Sequence, residues 1–332
     1  MMKSIPPFLQ KGQKVALVSP AGCISTACLE RGIRLMESWG LEYETGLHAL
    51  KRYGTFAGTD EERAEDFQQA LDAPEIKAII CTRGGYGSAR IIDKLDFTRF
   101  RQAPKWITGF SDITVFHSHL QQNLHVASIH SSMPQTYPEA GSEEALAATG
   151  SLHAALFGEG LIHKFRSQFI NRPGIATAPL IGGNLSILYS LRGTPTDIDP
   201  AGKILFLEDL DEYDYHIDRM LLNLARSGWF EKLAGLMVGT FTHIKKGANP
   251  YMRNVWEIIS RYTEGKDYPV CYGFPAGHIP HNHALYMGIP ACLEVSATNE
   301  PSQLSFLGVQ RQARLTKTLN NGHENSPASP EQ

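Results

Sequence analysis

Cysteine is scarce in this chain and offers no pairing pattern. The 332 residues hold five, Cys23, Cys28, Cys81, Cys271 and Cys292, an odd number with no C-x-x-C spacing. That argues against a disulfide framework and for a reducing compartment, the cytoplasm. Cys81 and Cys292 lie in apolar stretches and are expected to be small core hydrophobes. Excess charge is also missing: 31 Lys and Arg against 34 Asp and Glu leave −3. No Lys/Arg block exceeds two residues, so a nucleic-acid partner is not expected. No apolar run approaches the roughly 18 residues of a membrane-spanning helix. The start, Met1 to Pro7, lacks the apolar core of a secretory signal. What is present is ordinary, 42% apolar and 20% charged residues, the proportions of a globular protein with enough chain for a core of its own. At about 150 residues per domain, two domains are expected.

The first half alternates strand and helix signals. Lys14–Ser19 reads as a buried strand ended by Pro20-Ala21-Gly22. Leu29–Trp39 has helical spacing and is closed by Gly40. Thr59 and Glu62 form a capping box that opens a helix through Phe67, Ala70 and Leu71. Ala78–Thr82, Trp106–Thr108 and Val126–Ile129 are further strands. This alternation predicts a mainly parallel sheet with helical crossovers. Ser142–Phe157 reads as a helix, and the polar stretch Phe165–Thr177 marks a domain boundary. Beyond it, strands are expected at Lys203–Leu207, Leu236–Thr240, Val270–Tyr272, Ala291–Val295 and Leu304–Leu307. Helices are expected at Leu185–Leu191, Ile217–Ser227 and Val255–Tyr262. From Lys317 the composition turns polar and reads as disordered.

Four segments carry candidate chemistry. Thr108-Gly109-Phe110-Ser111-Asp112 puts a serine between a strand and a helix. Ligands gather at the carboxyl ends of parallel strands, although a serine there equally serves as a helix N-cap. Thr82-Arg83-Gly84-Gly85-Tyr86-Gly87-Ser88 also follows a strand. Its glycines let backbone N–H groups approach a ligand, or simply turn the chain. Leu205-Phe206-Leu207-Glu208 ends an apolar strand on a carboxylate that needs a partner if buried. Gly273 to His283 is a loop with three histidines, His278, His281 and His283. It lacks the H-E-x-x-H or Cys pair of a zinc site. His117 and His119 lie two apart on a helix, facing different ways. Taken together, the four supply a serine, N–H donors, a buried Glu and a loop His, the parts of a Ser–His–Glu acyl-transfer site.

These pieces, with Val15–Ala21 and Gly182-Gly183-Asn184-Leu185, stand in one order from Lys14 to Leu307. In that set the chain resembles the LD-carboxypeptidases, or muramoyltetrapeptide carboxypeptidases, serine peptidases that also include the microcin C immunity peptidases. The resemblance implies Ser111 as nucleophile, His278 as base and Glu208 as its orienter. It implies an oxyanion hole from the N–H groups of Gly85 and Asp112. It also implies an α/β fold with a mainly parallel, flavodoxin-like N-terminal sheet carrying helices on both faces, over residues 1–160. The resemblance implies a smaller β-rich, barrel-like domain at 177–312, while composition sets a linker at 161–176 before it and a disordered tail at 313–332 after it. The implied substrate is a muropeptide in the cytoplasm, cut to release D-Ala, with no cofactor or metal. A homodimer is the family's habit. Arg83, Gly84 and Tyr86 are candidate substrate contacts, Arg83 for the terminal carboxylate unless it makes a structural ion pair. Three other readings stay open: an immunity-type peptidase on an acyl-nucleotide, a flavodoxin-like phosphate-binding protein, and a zinc hydrolase on His278, His281 and His283.

Overall fold

The computed structural model describes residues 4–306, apart from 139–140, 168, 248–253 and 298–299, together with residue 309. The expected disordered tail at 313–332 lies outside the described residues.

The first sheet forms around the apolar runs. Strands β1 (Lys14–Val18), β2 (Glu42–Thr45), β3 (Ile76–Cys81), β4 (Trp106–Gly109) and β5 (Ser128–His130) are all parallel, in the order β5-β4-β3-β1-β2. β1, β3 and β4 are buried on both faces, as continuous apolar runs in a covered parallel sheet should be. β2 is exposed at all four residues, Glu-Tyr-Glu-Thr, which is why hydrophobic pattern did not reveal it. Helix α1 (Thr26–Ser38) follows β1, and α2 (Asp60–Asp72) starts at the expected capping box. The Thr59 hydroxyl takes the Glu62 N–H at 3.3 Å, and the Glu62 carboxylate takes the Thr59 N–H at 2.9 Å. Short helices α3 (Ser88–Ile91) and α4 (Thr98–Gln102) separate β3 from β4, and α5 (Thr114–His119) follows β4. Phe67 of α2 stacks on Phe116 of α5 at 4.3 Å on one face. Leu29 and Met36 of α1, with Leu152 and Leu156 of α6 (Glu143–Phe157), belong to the core on the other.

The second sheet comprises β6 (Ile162–Arg166), β7 (Gly174–Asn184), β8 (Ile204–Leu210), β9 (Gly235–Thr242), β10 (Val270–Tyr272), β12 (Pro290–Val295) and β13 (Pro301–Ser305). The stretch expected as a linker is therefore not a plain connection, because β6 pairs with β13. The long β7 serves two neighbours. Gly174–Pro179 pairs antiparallel with β12, and Leu180–Asn184 pairs parallel with β8. A Cβ at Gly182 would lie 2.1 Å from the Phe206 carbonyl oxygen, so only glycine fits this part of the strand. Arg172 bridges to Val270 just before β7, which brings the edge strand β10 round toward the start of β7 and curls the sheet like a barrel. Helices α7 (Leu185–Ser190), α8 (Asp214–Arg226) and α9 (Val255–Thr263) supply its separate core.

Two features join the halves. One hydrophobic cluster runs from Val15, Ile80 and Trp106 through Phe206, Phe274 and Leu293. And β11 (Leu285–Met287), from the second half of the chain, pairs antiparallel with β5 as an edge of the first sheet. Cys81 is buried as expected, but Cys292 is half-exposed, because strand alternation turns Ala291 and Leu293 inward and Cys292 out. All five cysteines are free. Among the described residues no helix is long and apolar enough to cross a membrane.

Candidate active site

Three of the four candidate segments follow the carboxyl ends of the parallel strands β3, β4 and β10, and the fourth lies within β8. Ser111 opens a 3₁₀ turn directly after β4 and has φ +62°, a left-handed conformation that a serine rarely adopts. The turn that follows is tight: a Cβ at Gly109 would stand 2.8 Å from Ile113. His117 fixes this turn from behind. Fully buried, its Nε2–H donates to the Gly109 carbonyl at 2.9 Å, and its Nδ1 accepts from Ser128 Oγ at 2.8 Å. Burial pushes its pKa down to about 4, so it stays neutral in both bonds.

The glycine loop approaches from β3. A Cβ at Gly84 would lie 3.1 Å from the Ser111 Cβ and 3.2 Å from the Asp112 nitrogen. The missing side chain lets the loop backbone lie directly on the Ser111 turn. Gly85 follows with φ +98°, and an added Cβ there would meet the Gly22 Cα at 4.0 Å. Among the described residues, neither the Gly85 nor the Asp112 N–H donates to another backbone carbonyl or side chain.

Glu208 is the fifth residue of β8 and is completely buried. The β8–β9 register slips by one residue opposite it, a bulge that re-aims side chains at a strand end. His278 reaches it from the loop after β10. The His278 Nδ1–H donates to Glu208 Oε2 at 2.6 Å, and His278 Nε2 stands 3.0 Å from Ser111 Oγ. A Cβ at Gly277 would come within 2.9 Å of Glu208 Oε2, so glycine is required beside the histidine. Burial pulls the His278 pKa down, but the charge of Glu208 and its hydrogen bond outweigh this, helped by Asp209 and Asp211, and the net shift is upward. The phenyl ring of Phe110 covers the imidazole, with centroids 4.7 Å apart.

Neighbouring residues hold these groups in place. Asp209 points away from Glu208 and takes the Asn184 amide and the Ser186 N–H, both at 2.9 Å. Burial and the adjacent Glu208 push its pKa up to about 7. The buried Asn282 amide oxygen takes the Gly277 N–H at 2.9 Å and lies 3.3 Å from His130 Nε2 of β5. Asn282 and His117 escaped the sequence reading. The first was hidden between His281 and His283, and the second was weighed only as a metal ligand.

The remaining candidates are placed as follows. Arg83 Nη1 donates to the Cys23 carbonyl at 2.5 Å and its side chain lies along Gly22. Tyr86 is 54% exposed, with its ring 5.6 Å from that of Phe56. The three loop histidines do not converge. His278 lies between Glu208 and Ser111, His281 is exposed, and His283 packs edge-on against His163 at 4.8 Å. Among the described residues no group of three or more His, Cys, Asp and Glu is arranged to hold a metal ion.

The sequence signature of the LD-carboxypeptidase N-terminal domain matches residues 15–131, and that of the C-terminal domain matches residues 177–293. The chain belongs to the LD-carboxypeptidase family. It is 32% identical over 314 residues to the "Probable murein peptide carboxypeptidase" of Bacillus subtilis (strain 168), covering 94% of this chain and 97% of that protein. It is 35% identical to the murein tetrapeptide carboxypeptidase of Pseudomonas aeruginosa, covering 85% and 93%. The solved muramoyltetrapeptide carboxypeptidase from Oxalobacter formigenes superposes with a TM-score of 0.79 at 30% identity, over 88% of this chain and 98% of that one. The microcin C7 self-immunity protein MccF shares the fold at 19% identity and TM-score 0.79, over 90% and 98%. This LD-carboxypeptidase family member is thus a peptidase built on two sheets, in which His278 stands within hydrogen-bonding reach of both Ser111 and Glu208.

Proposed function

We propose that the chain is a serine-type LD-carboxypeptidase that removes the terminal D-Ala from a murein tetrapeptide, in the cytoplasm, during cell-wall recycling. The observation that carries this reading is the continuous Ser111–His278–Glu208 chain, with spacings of 3.0 and 2.6 Å. His278 Nε2 takes the Ser111 proton as Oγ bonds to the carbonyl carbon of the L-centred residue. The carbonyl electron pair moves onto oxygen, where the N–H groups of Gly85 and Asp112 receive it, each donor worth about 3–4 kcal/mol. The tetrahedral species collapses, the C–N bond breaks, and the imidazolium passes its proton to the departing D-Ala amine. Water, deprotonated by His278, then attacks the acyl ester, and Ser111 regains its proton. Glu208 holds the Nδ1–H tautomer and stabilises the imidazolium without taking the proton itself.

The fold shared with MccF keeps a second reading alive, a peptidase acting on an acyl-nucleotide. Such a site needs an aromatic wall for the base. Trp106 and Trp229 are buried, Trp39 packs on His153 and Phe157, and Trp256 packs on Phe241 and Tyr272. The tryptophans are therefore committed elsewhere, which favours the murein reading. Incubation with a synthetic tetrapeptide stem and with an aminoacyl sulfamoyl adenosine separates the two. Free D-Ala from the first, absent when the last stem residue is L-Ala, is expected. Turnover of the nucleoside alone would replace the murein reading with the other.

A further inference from the structure

We propose that Arg63 and the Asp112 carboxylate are positioning residues that clamp the glycine loop onto the nucleophile turn, so that Gly85 and Asp112 present their N–H groups at a fixed distance from Ser111. This rests on the proposed acyl-transfer reading of the site.

The loop from Gly84 to Ser88 has little structure of its own. It leads into a four-residue helix, and Gly85 and Gly87 stand at φ +98° and +144°. A glycine-rich segment like this samples many backbone conformations unless it is tied down. An oxyanion donor is useful only if its geometry is set before the reaction starts.

Three ties are present. The Gly22 N–H donates to the Gly84 carbonyl at 2.9 Å. The Ser88 N–H donates to Asp112 Oδ2 at 2.8 Å. Arg63 Nη1, from α2, donates to the Gly87 carbonyl at 3.0 Å. The same Nη1 donates to the Pro20 carbonyl at 2.7 Å, and Nη2 is paired with Asp60. One rigid guanidinium therefore joins the loop after β3 to the loop after β1.

Both side chains are expensive to keep where they are. Arg63 and Asp112 are each 1% exposed, and a buried charge needs partners that offset its desolvation. The Phe56 ring covers the guanidinium at 4.9 Å, and Asp60 is shared with Arg90 outside. Burial raises the Asp112 pKa, while the Ser88 N–H and the charge of Arg63 oppose that. The loop also leaves room for the clamp: a Cβ at Gly87 would lie 2.5 Å from Arg63 Nη1. Asp112 thus gives its own N–H to the oxyanion site, and its carboxylate ties down the loop that gives the other.

The test uses the full chain and four variants, Arg63→Met, Arg63→Lys, Asp112→Asn and Gly87→Ala. Two rates are read: D-Ala release from a tetrapeptide, and inactivation by an alkyl fluorophosphonate, whose phosphoryl oxygen occupies the oxyanion position. Thermal unfolding reports the fold. Arg63→Met is expected to lower kcat and the inactivation rate together by about a hundredfold, the effect of a displacement of about 1 Å, with KM nearly unchanged. Arg63→Lys recovers part of both. Gly87→Ala reproduces the loss while keeping every charge. If Arg63→Met does not fold, Gly87→Ala and Arg63→Lys decide, and wild-type inactivation rates in both overturn the clamp. Wild-type rates in a folded Arg63→Met overturn it directly. If the parent protein releases no D-Ala, yet fluorophosphonate inactivation still falls across the variants, the murein reading fails and the clamp stands.

Discussion

The two sides of the site are built by different means. On the Ser111 side the working parts are backbone. Ser111 sits in a left-handed conformation, Gly84 lies on its turn, and His117 holds the Gly109 carbonyl while staying neutral. On the His278 side the working parts are side-chain charges. Buried Glu208 faces His278 at 2.6 Å, and Asp209 next to it is tied to Asn184 and Ser186. The first side is therefore sensitive to added atoms, and the second to lost charge. This difference predicts which substitutions each side tolerates and which kinetic quantity each will move.

The largest break removes the proposed nucleophile. Ser111→Ala is expected to lower kcat by about a millionfold, leaving only the residual rate from oxyanion donors and binding. Loss of the hydroxyl leaves the turn in place, so circular dichroism and the unfolding midpoint should match the parent. A Ser111→Ala protein with parental turnover would remove the serine from the mechanism.

Next is the charge on the other side. Glu208→Gln keeps the size but loses the charge, and its amide can favour the wrong imidazole tautomer. A fall in kcat of about ten-thousandfold is expected, by analogy with the Asp→Asn change in a serine protease triad. In the parent, kcat/KM should rise with pH as His278 loses its proton, with a midpoint above the ordinary histidine value because Glu208 raises it. In Glu208→Gln burial acts unopposed by that charge, so the residual limb should move to lower pH. The loss should not add to that of His278→Ala, since the two work as a unit. An unmoved limb would show that the charge of Glu208 does not act on His278.

Gly84→Ala tests the backbone side at a smaller scale. The new methyl meets the Ser111 Cβ at 3.1 Å and the Asp112 nitrogen at 3.2 Å. The turn must yield by a few tenths of an ångström, and kcat should fall by about tenfold to a hundredfold. The pH midpoint of kcat/KM should stay where it is, because no charge near His278 changes. A shift of that midpoint without a fall in kcat would erase the contrast between the two sides.

The candidate site residues were easier to pick out of the sequence than some of the strands around them. Ser111, Glu208 and His278 stood out because each ends or follows an apolar run at a strand terminus, where a polar residue is conspicuous. The buried strands of both sheets were legible for the same reason. β2 was not, because its four residues are polar and exposed. Nor was β11, three residues of a loop-rich segment, whose pairing with β5 is set by contacts more than 150 residues away in sequence. β6 and the first half of β7 alternate on an edge-type antiparallel sheet and read as polar connection, so a boundary placed across them cut through a pairing unit. The supporting partners were the least visible. Asn282 holds a backbone N–H five residues back in its own loop and Arg63 holds carbonyls of two distant loops, and no sequence pattern marks either bond.

The smallest expected effect concerns the histidine loop itself. Three histidines in six residues suggest a metal, and a metal would make the His278 side an electrophile rather than the proposed general base. Their placement argues otherwise. His278 is engaged at both ring nitrogens, by Glu208 and Ser111. His283 is turned toward His163, and burial pushes its pKa down to about 4. His281 is exposed at the surface. No single ion can be reached by all three. Dialysis of the protein against a strong chelator should therefore leave kcat unchanged, and His281→Ala should stay within about twofold of the parent, as surface changes away from a site do. Lost activity that returns on adding zinc, in the parent but not in His281→Ala, would transfer the chemistry from the Ser111–His278–Glu208 chain to a metal.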